Sequence, residues 1–375
     1  MKILLSAGEA SGDHYAAQLV EALRQRLEGV EFFGCAGPRL RAAGVRVVVE
    51  AERLAVVGIV EVIAHIPRIY KEYRRMVDAA LAERPTLAIL TDSPDFHLRL
   101  ARRLHRAGIP VVYLVAPQAW AWRRRRVHRM RRVLTHLLCI FPFEEAFFRG
   151  YGVPTTYIGH PLAGRVAPRL TREDFFRKHR LAPDRPLIAV LPGSRRGEAE
   201  RHLPALLQAV RQLGAWRAMN FVLAVSNTTG REFFLERMAD SEVKLVAGET
   251  WDVLAHADLA LVASGTATVE AALLGTPMIA FYRVHPASWL LGRWLVKAPY
   301  LSMVNLLAGR PIVPELIQAD CTGPKLAAAA REMLENPDRM AAVRADLAEL
   351  KHTLDGGQDA MERAAAIVEQ VARSL

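Results

Sequence analysis

Leu187-Ile188-Ala189-Val190-Leu191-Pro192-Gly193-Ser194-Arg195 decides the reading of this chain, together with Leu259-Ala260-Leu261-Val262-Ala263-Ser264-Gly265-Thr266-Ala267-Thr268-Val269-Glu270 about seventy residues on. In each, an apolar run of strand length ends in a Gly/Ser turn and opens into a helical pattern. Such a turn points free backbone N–H groups outward, and the helix dipole favours an anion there. Two facing turns can hold a diphosphate between them. Arg195 adds a cation. Glu270, on the first turn of the second helix, puts a carboxylate within reach of a ribose hydroxyl. A single turn of this kind occurs throughout α/β proteins and ordinarily binds nothing. The pair, with Arg195 and Glu270 at useful offsets, reads as a nucleotide-diphosphate site.

Outward from these turns the same alternation continues. Strands are expected at Phe221 to Val225, Val243 to Val246 and Met278 to Phe281, with helices at Glu198 to Leu213, Trp251 to His256 and Thr268 to Leu274. The first half repeats the pattern. Strands are expected at Ile3 to Ala7, Glu31 to Gly34, Val45 to Val49, Thr86 to Thr91, Pro110 to Val115 and Leu137 to Ile140, and helices at Asp13 to Leu27, Arg68 to Glu83 and Phe96 to Ala107. Short, wholly apolar runs such as Leu87 to Leu90 suit parallel strands buried on both faces. The pattern breaks at Gly159-His160-Pro161-Leu162 and a Pro-containing polar stretch follows. The expected fold is therefore α/β, with two doubly wound, Rossmann-like halves and a ligand in the cleft between them, outside the carboxyl ends of the strands. The expected domains are 1–162, 163–345 and an Ala-rich helical end at 346–375. That end packs back on the first half or against a second subunit, which would make a homodimer.

The length of 375 residues suits two domains. Cys35, Cys139 and Cys321 are far apart and lack metal spacing, which fits free thiols in a reducing cytoplasm. No signal peptide is read at the N-terminus, and no run of about 20 apolar residues predicts a membrane span. The net charge is +11, and only seven of the 50 basic residues are Lys. A GC-rich genome explains an Arg excess in general but not its clustering. Arg123 to Arg126, with Arg129, Arg131 and Arg132, follow Trp120 and Trp122 as a local basic patch suited to an acidic partner.

The first turn, Gly8-Glu9-Ala10-Ser11-Gly12-Asp13, does not match GxGxxG, which argues against a dinucleotide. Glu9 at a strand end suits acceptor binding, and Asp13 is either functional or a cap of its own helix. The strand ending at Thr91 runs into Asp92-Ser93-Pro94-Asp95-Phe96. One of those carboxylates is a candidate general base, although Asp95 also suits a cap of the helix at Phe96. No DxD motif and no His/Cys/Asp cluster of metal spacing occurs, so transfer without metal or cofactor is expected, with Arg195 and helix dipoles balancing a leaving diphosphate.

GEASGD at 8–13, TDSPDF at 91–96, APQAWAW at 116–122, LPGSR at 191–195, ASGTATVE at 263–270 and NLLAGR at 305–310 together resemble the lipid-A-disaccharide synthase family, in order and over essentially the whole chain. The resemblance implies a GT-B glycosyltransferase that joins UDP-2,3-diacylglucosamine to 2,3-diacylglucosamine 1-phosphate with inversion, in lipid A biosynthesis at the inner membrane. It implies that the first domain takes the acceptor and the second the UDP-sugar. Asp95, Glu9 and Arg195 fall on catalytic positions, with Asp95 facing the acceptor 6-hydroxyl. Gly193, Ser194, Arg195, Ser264, Gly265, Thr266, Glu270, Asn305 and Gln318 fall on the UDP-sugar side, and Gly8 and Ser11 on the acceptor side. Which of Asp95, Asp92 and Glu9 is the base stays open.

Acyl chains need an apolar surface. Residues 56–66, including Val57, Ile59 and Ile63, are nearly all apolar and are followed by Arg68, Lys71, Arg74 and Arg75; 288–297 is a second such stretch. Amphipathic basic segments of this kind lie on anionic bilayers, and equally well form ordinary core helices. Two other readings stand beside this one: another GT-B enzyme on UDP-N-acetylglucosamine, such as a 2-epimerase, and an RNA-binding protein using the 123–132 run. The second lacks a visible RNA module, so no nucleic-acid partner is expected.

Overall fold

The computed structural model describes residues 1–54, 59–226, 228–238, 241–286, 289–290 and 298–374, with the backbone alone at 59–65. The chain divides into two compact units, Met1–Pro161 with Leu354–Leu375, and Leu162–Thr353.

The first unit is a seven-stranded parallel sheet. Its strands are β1 (Lys2–Ala7), β2 (Glu31–Ala36), β3 (Arg46–Glu50), β4 (Leu87–Thr91), β5 (Val111–Leu114), β6 (His136–Cys139) and β7 (Thr155–Tyr157). They lie in the order β3-β2-β1-β4-β5-β6-β7. The helices are α1 (Ala10–Arg26), α2 (Pro38–Ala42), α3 (Ile59–Glu83), α4 (Pro94–Arg106), α5 (Arg125–Val133) and α6 (Pro142–Gly150). All five residues of β4 are buried, as a strand with helices on both faces requires. The arginine run expected as a patch leads into α5: Val127, Met130 and Val133 are buried at helical spacing, and the arginines are exposed except Arg126, whose side chain is largely covered.

The second unit is a six-stranded parallel sheet of β8 (Leu187–Leu191), β9 (Asn220–Val225), β10 (Lys244–Ala247), β11 (Leu259–Ala263), β12 (Met278–Tyr282) and β13 (Glu315–Ile317), in the order β10-β9-β8-β11-β12-β13. Around it lie α7 (Arg172–Lys178), α8 (Arg196–Trp216), α9 (Arg231–Leu235), α10 (Thr250–His256), α11 (Thr266–Leu273), α12 (Met303–Ala308), α13 (Gly323–Leu334) and α14 (Pro337–Asp355). The chain rejoins the first unit at Leu354, and α15 (Ala360–Arg373) packs along α1, where Arg26 bonds Glu369 at 2.9 Å.

In each sheet the strand order reverses once, between β1 and β4 and between β8 and β11. At such a switch point adjacent connections leave on opposite faces and open a crevice at the carboxyl ends of the strands. The turns at Gly8 and Asp92 leave one crevice, and those at Pro192 and Ser264 leave the other.

Candidate active site

In the first unit the two turns are bonded to each other. The Asp92 carboxylate accepts the N–H of Gly8 at 2.9 and 3.1 Å and that of Glu9 at 2.9 Å, at the start of α1. The two segments touch so closely that a Cβ at Gly12 would lie 1.9 Å from Asp92 Oδ2, so only glycine fits there. Asp92 and Ser93 both have left-handed backbone, φ +55° and +34°, a conformation that costs energy in non-glycine residues and is kept only where surroundings enforce it. The enforcing groups are visible. The Asp92 carbonyl accepts His97 Nδ1–H at 2.9 Å and the buried Tyr113 hydroxyl. Burial pushes the His97 imidazole down to about 4, so it is neutral, and its Nε2 accepts the Ser6 hydroxyl at 2.7 Å. Burial pushes the Asp92 carboxyl up to about 7, against the pull of the two N–H groups.

Two expected helix caps change here. Helix α1 starts at Ala10, so Asp13 is not its cap; buried, it accepts the N–H groups of Gly37, Arg39 and Leu40 and caps α2 instead. Glu9 is the N-cap residue of α1, but its side chain is exposed and makes no cap bond, and Ser11 is exposed beside it. Asp95 lies inside the first turn of α4 after the cap position Ser93, with its carboxylate 67% exposed. It is ion-paired with Arg123 at 3.1 Å and Arg126 at 2.5 Å. The loop supplying those arginines is anchored by Trp120, whose indole N–H donates to the buried Glu144 at 3.0 Å; burial pushes that carboxyl up to about 8.

In the second unit Gly193 has φ +114°, and a Cβ there would meet Glu198 Oε2 at 3.0 Å, so glycine lets the turn close on α8. Arg195 is the N-cap residue of α8, more than half exposed, and bonds Glu198 at 3.2 Å. The Ser194 carbonyl accepts the hydroxyls of Ser226 and Thr229, each at 3.0 Å. Gly265 precedes Thr266 at the start of α11, and the Ser264 hydroxyl donates to the Leu301 carbonyl at 3.2 Å. Beside this turn is a cavity of about 250 Å³ lined by Val225, Ser226, Gly248, Trp251, Arg169 and Glu270. The Trp251 indole N–H donates to Glu270 Oε1 at 3.1 Å, and burial pushes that carboxyl up. An aromatic wall with a carboxylate bonded to it suits a flat base and its ribose. Trp251 was legible only as a residue of a short helix.

Asn305 and Gln318 do not present free polar groups. Asn305 is fully buried: its Oδ1 accepts the N–H of Ile312 and Val313, and its Nδ2 donates to the Val313 carbonyl and to Glu315. Gln318 bonds both the N–H and the carbonyl of Val284. Both amides hold neighbouring chain in place. Val57 lies outside the described residues, as do the side chains of Ile59 and Ile63.

The profile of the lipid-A-disaccharide synthetase family matches residues 3–371. The chain belongs to that family. It is 61% identical over 370 residues to lipid-A-disaccharide synthase of Solibacter usitatus (strain Ellin6076), covering 99% of this chain and 97% of that one. The enzyme of the same name from Koribacter versatilis (strain Ellin345) is 43% identical over 380 residues, covering 100% and 99%. Members of this synthetase family are glycosyltransferases, and this chain is one, in lipid A biosynthesis. Solved structures share its GT-B fold. The glycotransferase of kitacinnamycin gives a TM-score of 0.68 at 16% identity over 99% of each chain. UDP-GlcNAc 2-epimerase from Neisseria meningitidis, bound to UDP-GlcNAc, gives 0.67 at 11% identity over 100% of each. Family membership decides between the transferase and epimerase readings in favour of the transferase.

Proposed function

We propose that this synthetase joins UDP-2,3-diacylglucosamine to 2,3-diacylglucosamine 1-phosphate, forming the β(1→6) disaccharide 1-phosphate and UDP. The observation that carries this is the family match across residues 3–371. Uracil enters the cavity against Trp251, the ribose meets Glu270, and the diphosphate lies on the N–H groups that open α8 and α11, with Arg195 as counter-charge. Asp95 takes the proton of the acceptor 6-hydroxyl. That oxygen attacks the anomeric carbon from the face opposite UDP, the carbon–oxygen bond to the diphosphate breaks, and the configuration inverts.

The acylated substrates fit an enzyme seated on an anionic membrane face. No helix among the described residues is long and apolar enough to cross a membrane. Ile66 and Tyr70, at the described end of the first apolar segment, are 53% and 58% exposed, beside exposed Arg68, Lys71 and Arg74. Such a face offers apolar contact and cations together.

The test is a transfer assay with both purified diacylated sugars, following the disaccharide by mass and UDP by release. Formation of both in equal amounts is expected. Turnover of UDP-N-acetylglucosamine with no disaccharide from the acylated pair would overturn the assignment.

A further inference from the structure

Arg123 to Arg126 run into the start of α5, whose first turn carries no acidic residue. A helix N-terminus already bears partial positive charge, so cations gathered there call for an anion from elsewhere. Asp95 of α4 answers two of them: Arg123 reaches both of its oxygens, at 3.1 and 3.3 Å, and Arg126 reaches one at 2.5 Å. Both guanidinium groups also lie over the indole of Trp122, 4.6 and 5.0 Å from the ring centroid. The Arg126 side chain is only 10% exposed, whereas that of Asp95 is 67% exposed. The cationic seat is thus built and stacked in place, and the carboxylate filling it stands at its open side. Asp95 sits on the first turn of its own helix, where the dipole favours an anion, so it keeps a favourable setting when it turns away.

This arrangement conflicts with a base at rest. Both Asp95 oxygens are engaged by guanidinium groups, so reaching toward a hydroxyl competes with those ion pairs. Paired arginines with their donors held by stacking are suited to a phosphate monoester, which offers more acceptor oxygens and more charge than a carboxylate.

We propose that Arg123 and Arg126, held over Trp122, form the seat of the acceptor's phosphate monoester, and that Asp95 fills this seat until the phosphate displaces it and frees it as base. The inference rests on the acceptor assigned above. The 1-phosphate and the 6-hydroxyl flank the ring oxygen of one sugar, so a single ring presents the phosphate to the arginines and the hydroxyl to the neighbouring carboxylate. The exchange breaks no covalent bond. Two guanidinium groups trade carboxylate oxygens for phosphate oxygens, and the 6-hydroxyl proton then passes to Asp95 as its oxygen attacks. The enzyme thereby withholds its base from sugars that lack the phosphate.

The test compares kcat/KM for the 1-phosphorylated diacyl acceptor and for the same sugar without phosphate. Wild type should prefer the phosphorylated acceptor by about 10²-fold or more, the scale of two charge-assisted contacts, with part of the preference in kcat. The double variant Arg123→Gln/Arg126→Gln should shrink the preference below about tenfold, and Arg123→Lys/Arg126→Lys should fall between. Glucose 1-phosphate titrated into wild type should change tryptophan fluorescence, and the change should vanish in Trp122→Phe and in the double Gln variant. Equal loss with both acceptors in the Gln and the Lys variants, or a preference that survives them, would overturn the seat. Normal transfer by wild type with no preference for phosphate sinks the seat and leaves the transferase assignment standing. An intact glucose 1-phosphate response without any disaccharide supports the seat and counts against the acceptor assignment.

Discussion

Asp92 Oδ1 accepts the backbone N–H of Gly8 at 2.9 Å, tying the turn after β4 to the turn after β1 across the switch point of the first sheet. The carboxyl is buried and held up at about 7, above the ordinary 3.8 that it regains on unfolding. With the folded value raised, the stability it contributes is fully present below the ordinary value and is lost as pH rises through about 7. The loss is on the order of a few kcal/mol, at about 1.4 kcal/mol per pH unit. Asp92→Asn keeps an acceptor for Gly8 and removes the titration. Its urea midpoint should therefore gain on that of wild type as pH rises from 5 to 8.5. Parallel curves across that range would show that Asp92 does not titrate there.

Glu270 is expected to hold the nucleotide through its ribose, with Trp251 fixing the carboxylate. Glu270→Ala should weaken UDP binding by about 1.5–3 kcal/mol, the range of a hydrogen bond to a charged group. Calorimetry of UDP binding to the folded variant checks this; an unchanged dissociation constant removes Glu270 from the site.

Asp95→Asn keeps the shape of the side chain and removes the proposed base. Turnover should fall by about 10²–10⁴, and UDP affinity should stay near the parental value if the nucleotide rests on the second unit as proposed. Near-normal turnover would pass the role to Asp92 or Glu9, examined by the same substitution and the same two measurements.

Membrane seating is checked by co-sedimentation with anionic vesicles. The parent should pellet at low salt and detach as salt rises, because the attraction of the basic residues is screened. Replacing Val57, Ile59 and Ile63 together by Ser should release it. A triple variant that sediments like the parent would make the segment core and not anchor.

The sequence by itself determined the two wound halves. Strands such as β4, β8 and β11 are buried on both faces, so each reads as an unbroken apolar run, and the residues ending them stand where a parallel sheet opens its crevice. Local pattern also placed Gly193 and Gly265 in their turns, whereas Glu270, expected on the first turn of α11, lies beyond it because that helix already starts at Thr266. It missed β7 and β13, three-residue strands at the sheet edges that bury too little to leave a run. Only the tertiary structure decided the partners. Asp13 caps a helix 24 residues onward, Asp95 meets arginines about 30 residues away, and Asn305 and Gln318 spend their amides on neighbouring chain. Local pattern reports burial and turn chemistry. Which polar group satisfies which is set by the packing and register that bring distant segments together, because a buried donor or acceptor takes the partner that the fold puts within reach.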